Sequence, residues 1–205
     1  MSVDVIQSKY DVSRETCERL QIFAETLEKW NPKINLVSKN SLRDLWTRHI
    51  LDSVQVFGVP TLGTSWLDIG SGGGLPGIII AILAAEKAPD MKVTLIESDQ
   101  RKCAFLRNVA RECGVKVSVK SQRIEAVVGI QADVLSARAL SDLSDLLSFS
   151  EHHLAQSGTA VFPKGANSKK EVDNARKRWR FECEEITSLT EPEAVILKIK
   201  GVARV

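Results

Sequence analysis

The chain has 205 residues, 43% of them hydrophobic and 26% charged, which is typical of one soluble globular domain. A net charge of +2 excludes the strong overall basicity of many nucleic-acid-binding proteins, so any such binding must depend on local patches. Because no apolar run approaches about 18 residues and residues 1–12 carry three charges, we expect no transmembrane helix, no signal peptide and a cytoplasmic location.

Two amphipathic helices are predicted near the N-terminus. Apolar residues repeat at three- and four-residue spacing over residues 13–30, with Ser13 as a suitable N-cap and Pro32 expected to end the helix. A second helix is predicted over residues 41–56 from the same kind of spacing.

Strands and helices then alternate along the rest of the chain. The predicted strands are 65–69, 92–97, 116–120, 133–137, 159–163, 181–187 and 194–199. The predicted helices are 75–85, 100–112, 143–155 and 169–179. This order implies an α/β fold with a mostly parallel sheet, and the short final turn implies an antiparallel hairpin at its end. We expect one domain, in which residues 1–60 form a helical cap and residues 61–205 form the core.

A burst of glycine follows the first predicted strand. The sequence WLDIGSGGGLPGIII, residues 66–80, has four glycines within five positions. Such a strand, turn and helix form the nucleotide entrance of doubly wound folds, because backbone without Cβ atoms can take positive φ and lie against a ligand. Two registers are open: Gly70 to Gly74 fits G-x-G-x-G, and Gly72 to Gly77 fits the dinucleotide pattern G-x-G-x-x-G.

Two carboxylates favour the first register. Asp68 ends the strand just before the loop, where it would repel a pyrophosphate but suits a cationic ligand. Glu97 ends the next strand, 27 residues after Gly70, where a carboxylate can accept hydrogen bonds from both ribose hydroxyls. A ligand with a ribose, an amine and a carboxylate but no phosphate points to S-adenosyl-L-methionine.

Several motifs occur in a definite order along the chain. They are WNPKINLVSKNSLRDLWTRHILDSV, LDIGSGGGLPGI, IESDQRKCAFLRNV, QRIEAV, SARAL and FPKG. Over about residues 20–200 this order resembles the bacterial small-subunit (16S) ribosomal RNA guanine-N7 methyltransferases, also called glucose-inhibited division protein B. The resemblance implies a class I, Rossmann-like methyltransferase fold with a seven-stranded sheet, which uses S-adenosyl-L-methionine.

The resemblance also implies a set of cofactor-binding residues. They are Gly70, Gly72, Leu75, Glu97, Ile124, Glu125 and Arg138. Glu97 would hold the ribose, and Arg138 would lie beside the methionine end. Ile124 and Glu125 would meet the adenine, although the family's usual Arg-Ala-Glu reads Arg123-Ile124-Glu125 here, and the larger side chain could narrow the adenine slot.

RNA would contact cations around the same cleft. The predicted substrate-binding residues are Arg48, His49, Lys164 and Lys169. His49 fits equally well as a helix residue packed against the sheet. The partner implied is 16S ribosomal RNA, within a small ribosomal subunit or an assembly particle, and we expect a monomer. We expect no metal, because the four cysteines are scattered and match no zinc spacing.

The target atom is argued partly by elimination. Methylation of a pyrimidine carbon needs a cysteine nucleophile, and no cysteine lies in a suitable context. Exocyclic amines are usually methylated beside Asn/Asp-Pro-Pro-aromatic acceptors, where this chain has Arg138, which cannot accept a proton. Guanine N7 has a free lone pair and needs no general base. Arg138 is then a possible target-side contact, or a structural ion-pair partner of Asp133 or Asp142.

Other functions stay open at this point. The chain could methylate another RNA, a protein or a small molecule. The second glycine register would suit an NAD-dependent dehydrogenase, and the basic segments alone would suit a non-catalytic RNA-binding module.

Overall fold

The computed structural model describes residues 3–61 and 63–205. The N-terminal helices are α1 (Val3–Tyr10), α2 (Arg14–Ile34), α3 (Lys39–Leu42), a π-helix (Leu45–Leu51) and α4 (Asp52–Phe57). The later helices are α5 (Gly77–Lys87), α6 (Gln100–Glu112), a 3₁₀ turn (Ile124–Ala126), α7 (Leu143–His153) and α8 (Ser168–Ala175). None of the helices in the described ranges is long and apolar enough to cross a membrane.

Helix α2 begins as predicted but ends later. The Ser13 hydroxyl accepts a hydrogen bond from the Thr16 amide at 3.1 Å, which caps the first turn. Pro32 lies inside the helix, so the prediction that it ends the helix was wrong. The end is set instead by Asn35, which takes a φ of +55°, and by the Asn31 side chain, which accepts from two amides of the following segment.

The single helix predicted over residues 41–56 is divided into three parts. A π-helix occupies its middle, and such widened turns are frequent at functional sites. Within it Leu45, Ile50 and Leu51 are buried, whereas Arg48 is exposed and His49 is half-buried. The π-helix therefore carries one exposed cation, Arg48, next to a half-buried histidine.

The described residues form a seven-stranded sheet. Its strands are β1 (Ser65–Ile69), β2 (Lys92–Glu97), β3 (Ser118–Ser121), β4 (Ala132–Ser136), β5 (Leu154–Lys164), β6 (Trp179–Thr187) and β7 (Val195–Arg204). Their order is β3-β2-β1-β4-β5-β7-β6, and β7 is antiparallel to both of its neighbours. The predicted fold class is confirmed. The order reverses between β1 and β4, so the carboxyl ends of these strands form the crevice where such folds bind ligands.

Apolar cores cover both faces of the sheet. Trp66 and Val134, which are partners in register, face α5 and the N-terminal helices, whereas Leu67 and Leu135 face α7 and α8. Helix α5 is buried from Gly77 to Ala84, because it lies between the sheet and α2 and α4. This position explains why the longest apolar run of the sequence is found there. The expected cap and core, residues 1–60 and 61–205, include residues 1, 2 and 62, which lie outside the described residues.

Candidate active site

The glycine loop joins β1 to α5 at the crevice. Gly70, Gly72 and Gly74 take φ values of +63°, +49° and +79°, which L side chains rarely adopt. A Cβ atom at Gly70 would lie 2.6 Å from Leu140 Cδ1, whereas one at Gly72 would meet only the Gly70 carbonyl oxygen, at 3.7 Å. The three positive φ values favour the G-x-G-x-G register, and the open space at Gly72 leaves room for a ligand against the backbone.

Asp68 is buried beneath this loop. In register with Ser136 of β4, it accepts a hydrogen bond from the Ser136 hydroxyl at 2.7 Å, and its second oxygen has no hydrogen-bond partner. A Cβ at Gly77 would lie 2.7 Å from that oxygen, so this glycine lets α5 pack over the carboxylate. Asp68 lines none of the three clefts described below, and it can act on a bound ligand only through its field.

The Asp68→Asn variant is expected to be more stable than the wild type at pH 7 by about 2 kcal/mol. Burial raises the pKa of the Asp68 carboxyl from 3.8 to about 6, although the hydrogen bond from Ser136 opposes this shift. A folded-state pKa above the unfolded value means that the carboxylate opposes folding above about pH 6, and this penalty vanishes as the pH falls below about 4. Urea denaturation at pH 7.5 and pH 4 measures the difference.

Asp133 on the adjacent strand is the matched control. Burial raises its pKa, but hydrogen bonds from Thr64 and Ser65 outweigh this and hold it below the usual value. Asp133→Asn is therefore expected to lower stability at pH 7.5. If Asp68→Asn also lowered the folding stability at pH 7.5, the buried carboxylate of Asp68 would not oppose folding.

Glu97 is fixed at the end of β2, with only 9% of its surface exposed. One carboxylate oxygen accepts from the Gly72 amide at 2.9 Å and the other from the Asp99 amide at 2.8 Å. Each carboxylate oxygen has a second lone pair, so the group can still accept two further hydrogen bonds. Glu97 therefore joins the glycine loop to the neighbouring strand and keeps acceptor capacity toward the cleft.

Glu97 faces a cleft of about 440 Å³, which we call the Glu97 cleft. Five of the predicted cofactor residues line it, namely Gly70, Gly72, Glu97, Ile124 and Glu125. The Ile124 carbonyl already accepts from the Val127 amide and from His153 Nε2, at 3.2 and 3.3 Å. The apolar side chain of Ile124 is thus the part that remains for a planar ring.

A second cleft of about 570 Å³ lies on the other side of the glycine loop. We call it the His49 cleft, and it brings together Gly70, Gly72, Leu75, Arg48, His49 and Arg138. The two ring nitrogens of His49 are buried and have no hydrogen-bond partner. Burial, with Arg138 and Arg48 nearby, lowers the pKa of His49 to about 4, so the ring is neutral at physiological pH.

Arg138 follows the end of β4 with a half-buried side chain. Its Nη1 lies 3.6 Å from Asp52 Oδ2 and donates to the Arg48 carbonyl oxygen at 3.2 Å. The alternative pairing of Arg138 with Asp133 or Asp142 was wrong. Asp133 accepts from residues 64 and 65, and Asp142 caps α7.

A third cleft of about 420 Å³ adjoins Arg138, and we call it the Lys164 cleft. Lys164 lines it, but its ammonium donates to the Ser141 carbonyl at 3.0 Å and forms an ion pair with Glu171 at 2.7 Å. Its charge is already neutralised, which limits its predicted contact with RNA. Lys169 lies exposed on α8 and lines none of the three clefts.

Several lining residues, including Ala139 and Phe149, were missed from the sequence. Ala139 takes a φ of +51° and lines all three clefts, so the clefts meet at this residue. An alanine gives no sequence signal for such a conformation. Phe149 of α7 lines the Glu97 cleft. In the sequence, an apolar helix residue of this kind cannot be distinguished from a residue of the core. Among the described residues, no group of three or more His, Cys, Asp or Glu side chains could hold a metal ion.

Known proteins match this chain over most of its length. The family model GidB, described as rRNA small subunit methyltransferase G, matches residues 16–198. A protein of Ruegeria sp. (strain TM1040), named ribosomal RNA small subunit methyltransferase G, is 74% identical over 195 residues, or 95% of each chain. A protein of the same name from Cereibacter sphaeroides (strain ATCC 17029 / ATH 2.4.9) is 45% identical over 206 residues, covering 100% of each.

Solved structures of low identity share the fold. The ribosomal protein L11 methylase of Lactobacillus delbrueckii subsp. bulgaricus has a TM-score of 0.58 at 17% identity, over 73% of this chain and 76% of that one. A TehB-like SAM-dependent methyltransferase of Corynebacterium glutamicum has a TM-score of 0.57 at 14% identity, over 78% of this chain and 94% of the other.

Proposed function

Because the chain belongs to the GidB family of rRNA small subunit methyltransferases, we propose that it transfers a methyl group from S-adenosyl-L-methionine to N7 of one guanine in 16S rRNA. The matching family model and relatives confirm the resemblance drawn from the sequence motifs. They also confirm the assignment as an S-adenosylmethionine-dependent rRNA methyltransferase. We further propose that one domain carries the activity as a cytoplasmic monomer, on a small subunit or an assembly particle.

The described residues fit this cofactor. The bare backbone at Gly72 leaves space for a ligand, and Glu97 beside it has free lone pairs for two ribose hydroxyls. The side chain of Ile124 supplies an apolar wall to the Glu97 cleft for the adenine. The methionine end would pass Ala139 into the His49 cleft, toward Arg138. When bound, S-adenosyl-L-methionine supplies an already activated methyl group.

One observation carries the choice of the target atom: the described residues that line the His49 cleft include no carboxylate and no effective general base. The Arg138 guanidinium cannot accept a proton. The His49 imidazole, with a pKa lowered to about 4 by burial and by the neighbouring arginines, is a weak base. Guanine N7 loses no proton when it is methylated, so alignment of the lone pair is the main requirement.

The proposed RNA contacts have different roles. Arg48 lies beside two clefts and can bind a phosphate, as can the exposed Lys169 on α8. The neutral His49 ring can donate to or accept from a nucleobase with its unpartnered nitrogens. Lys164 would hold the wall of its cleft through Glu171 and contact RNA only secondarily.

Mass mapping of ribosomal RNA tests this function. Deletion of the protein is expected to remove a single 7-methylguanosine from 16S rRNA, and the wild-type chain is expected to restore it. A chain with Glu97→Ala, made at the same level, is the matched control and is expected to restore nothing. Unchanged 16S rRNA, with labelled methyl groups found in protein or in another RNA, would overturn the proposal in favour of a different substrate.

A further inference from the structure

A chain of hydrogen bonds joins the turn between β6 and β7 to helix α4. The Gln55 side-chain carbonyl accepts from the Leu189 amide at 3.0 Å. Its amide nitrogen donates to the Ser188 hydroxyl at 3.1 Å and to Asp52 Oδ1 at 2.8 Å. Gln55 and Ser188 are each only 7% exposed, so this contact is protected from water. A buried and satisfied polar network of this kind fixes the groups within it.

Asp52 lies at the end of this network and faces Arg138. Its Oδ1 also accepts from the Thr190 hydroxyl at 3.2 Å, while its Oδ2 lies 3.6 Å from Arg138 Nη1. The side chains of Asp52 and Arg138 are 15% and 17% exposed. One oxygen is thus held by α4 and the turn, and the other is directed at the guanidinium.

The side chain of Arg138 depends on the Asp52 carboxylate for its orientation. An arginine side chain loses considerable rotamer entropy when it is held in one orientation, and a largely buried cation needs a counter-charge. Within the described ranges the only ion pair of Arg138 is the one with Asp52. Burial lowers the pKa of Arg138, and Asp52 and Asp68 oppose that shift. Asp52 contributes more of this opposition than Asp68, and it lines the Lys164 cleft together with Arg138.

We propose that Asp52 is a positioning residue, which holds Arg138 between the Lys164 cleft and the His49 cleft, and that Gln55 and Thr190 hold Asp52. This inference rests on the proposed function, since it concerns the residue toward which the methionine end of the cofactor is proposed to point. The β6–β7 turn, distant from Arg138 in the chain, would then control the geometry of methyl transfer without touching the reacting atoms.

Steady-state kinetics on small ribosomal subunits test the kinetic consequence. Asp52→Asn, which keeps the shape and removes the charge, is expected to lower kcat/KM about tenfold, and Thr190→Val about threefold. In an Arg138→Gln background the same Asp52→Asn change is expected to cost less than about twofold, because Asp52 acts through Arg138. Glu193→Gln, an exposed change in the same turn, is the matched control and is expected to change nothing. Fully additive losses would overturn the proposal.

Nuclear magnetic resonance of the arginine side chains gives a readout that does not need turnover. The Arg138 guanidinium protons are expected to exchange slowly in the wild type and in Glu193→Gln, and faster in Asp52→Asn and Thr190→Val. Equal exchange in all four would overturn the link. If the wild type methylates no rRNA, the proposed function fails, while the exchange rates still decide whether Asp52 and the turn hold Arg138.

Discussion

Replacement of Glu97 by glutamine is expected to weaken the binding of S-adenosyl-L-methionine about 100-fold, which corresponds to about 2.7 kcal/mol. Two ribose hydroxyls would donate to the carboxylate, and hydrogen bonds to a charged group contribute about 1.5–3 kcal/mol each. Glutamine keeps one acceptor oxygen, but its amide nitrogen would face either the Gly72 amide or the Asp99 amide and could not accept from a ribose hydroxyl. Isothermal titration calorimetry measures the change.

Asp99→Asn is the control for Glu97→Gln. Asp99 lies two residues further on, lines none of the three clefts, and caps α6 by accepting from the Arg101 amide at 2.8 Å. Asparagine is an equally good N-cap, so this variant removes one negative charge near the cleft without removing a ribose acceptor. Wild-type affinity in Glu97→Gln, or an equal loss in both variants, would show that the ribose is held elsewhere.

Features encoded locally could be predicted from the sequence. Strand β2 and helix α6 have the predicted bounds, Lys92–Glu97 and Gln100–Glu112, since a β-branched run precedes the Asp99 cap. Parallel strands end at one edge of a sheet, so Glu97 and the glycine loop had to meet there. Chain order therefore predicted that Glu97 adjoins the glycine loop, whereas Ile124 and Glu125 were implied only by the family resemblance.

Features that depend on distant packing could not be predicted. Arg138 pairs with Asp52, which lies on an N-terminal helix, and no pattern near Arg138 distinguishes this partner from Asp133 or Asp142. The neutralised charge of Lys164 depends on Glu171, which approaches only when α8 folds back over β5. The π-helix occupies residues 45–51, where the apolar spacing is that of an ordinary helix and gives no sign of it.

The neutral His49 adds a constraint on pH dependence. Because burial and two nearby arginines lower its pKa to about 4, His49 does not change charge between about pH 6 and 8. A ring that keeps one charge state suits the proposed contact of His49 with a nucleobase. Burial also raises the pKa of Asp68 to about 6. A weaker affinity for the cofactor in mild acid would therefore come from protonation of Asp68 beneath the loop, because His49 keeps its charge state there.

The Gly72→Ala variant is expected to bind S-adenosyl-L-methionine at least about 100-fold more weakly, since its methyl group would enter the space that the ligand needs. The backbone at Gly72 has a φ of +49°, so alanine also costs about 1–2 kcal/mol of folding stability. Gly114, just after α6, separates these effects because it has a φ of +64° and a Cβ atom there would meet nothing within 4 Å. Gly114→Ala should lose similar stability but keep its affinity, as measured by thermal melting and calorimetry. Equal affinities in the two variants would mean that the cofactor does not lie against the backbone of the glycine loop.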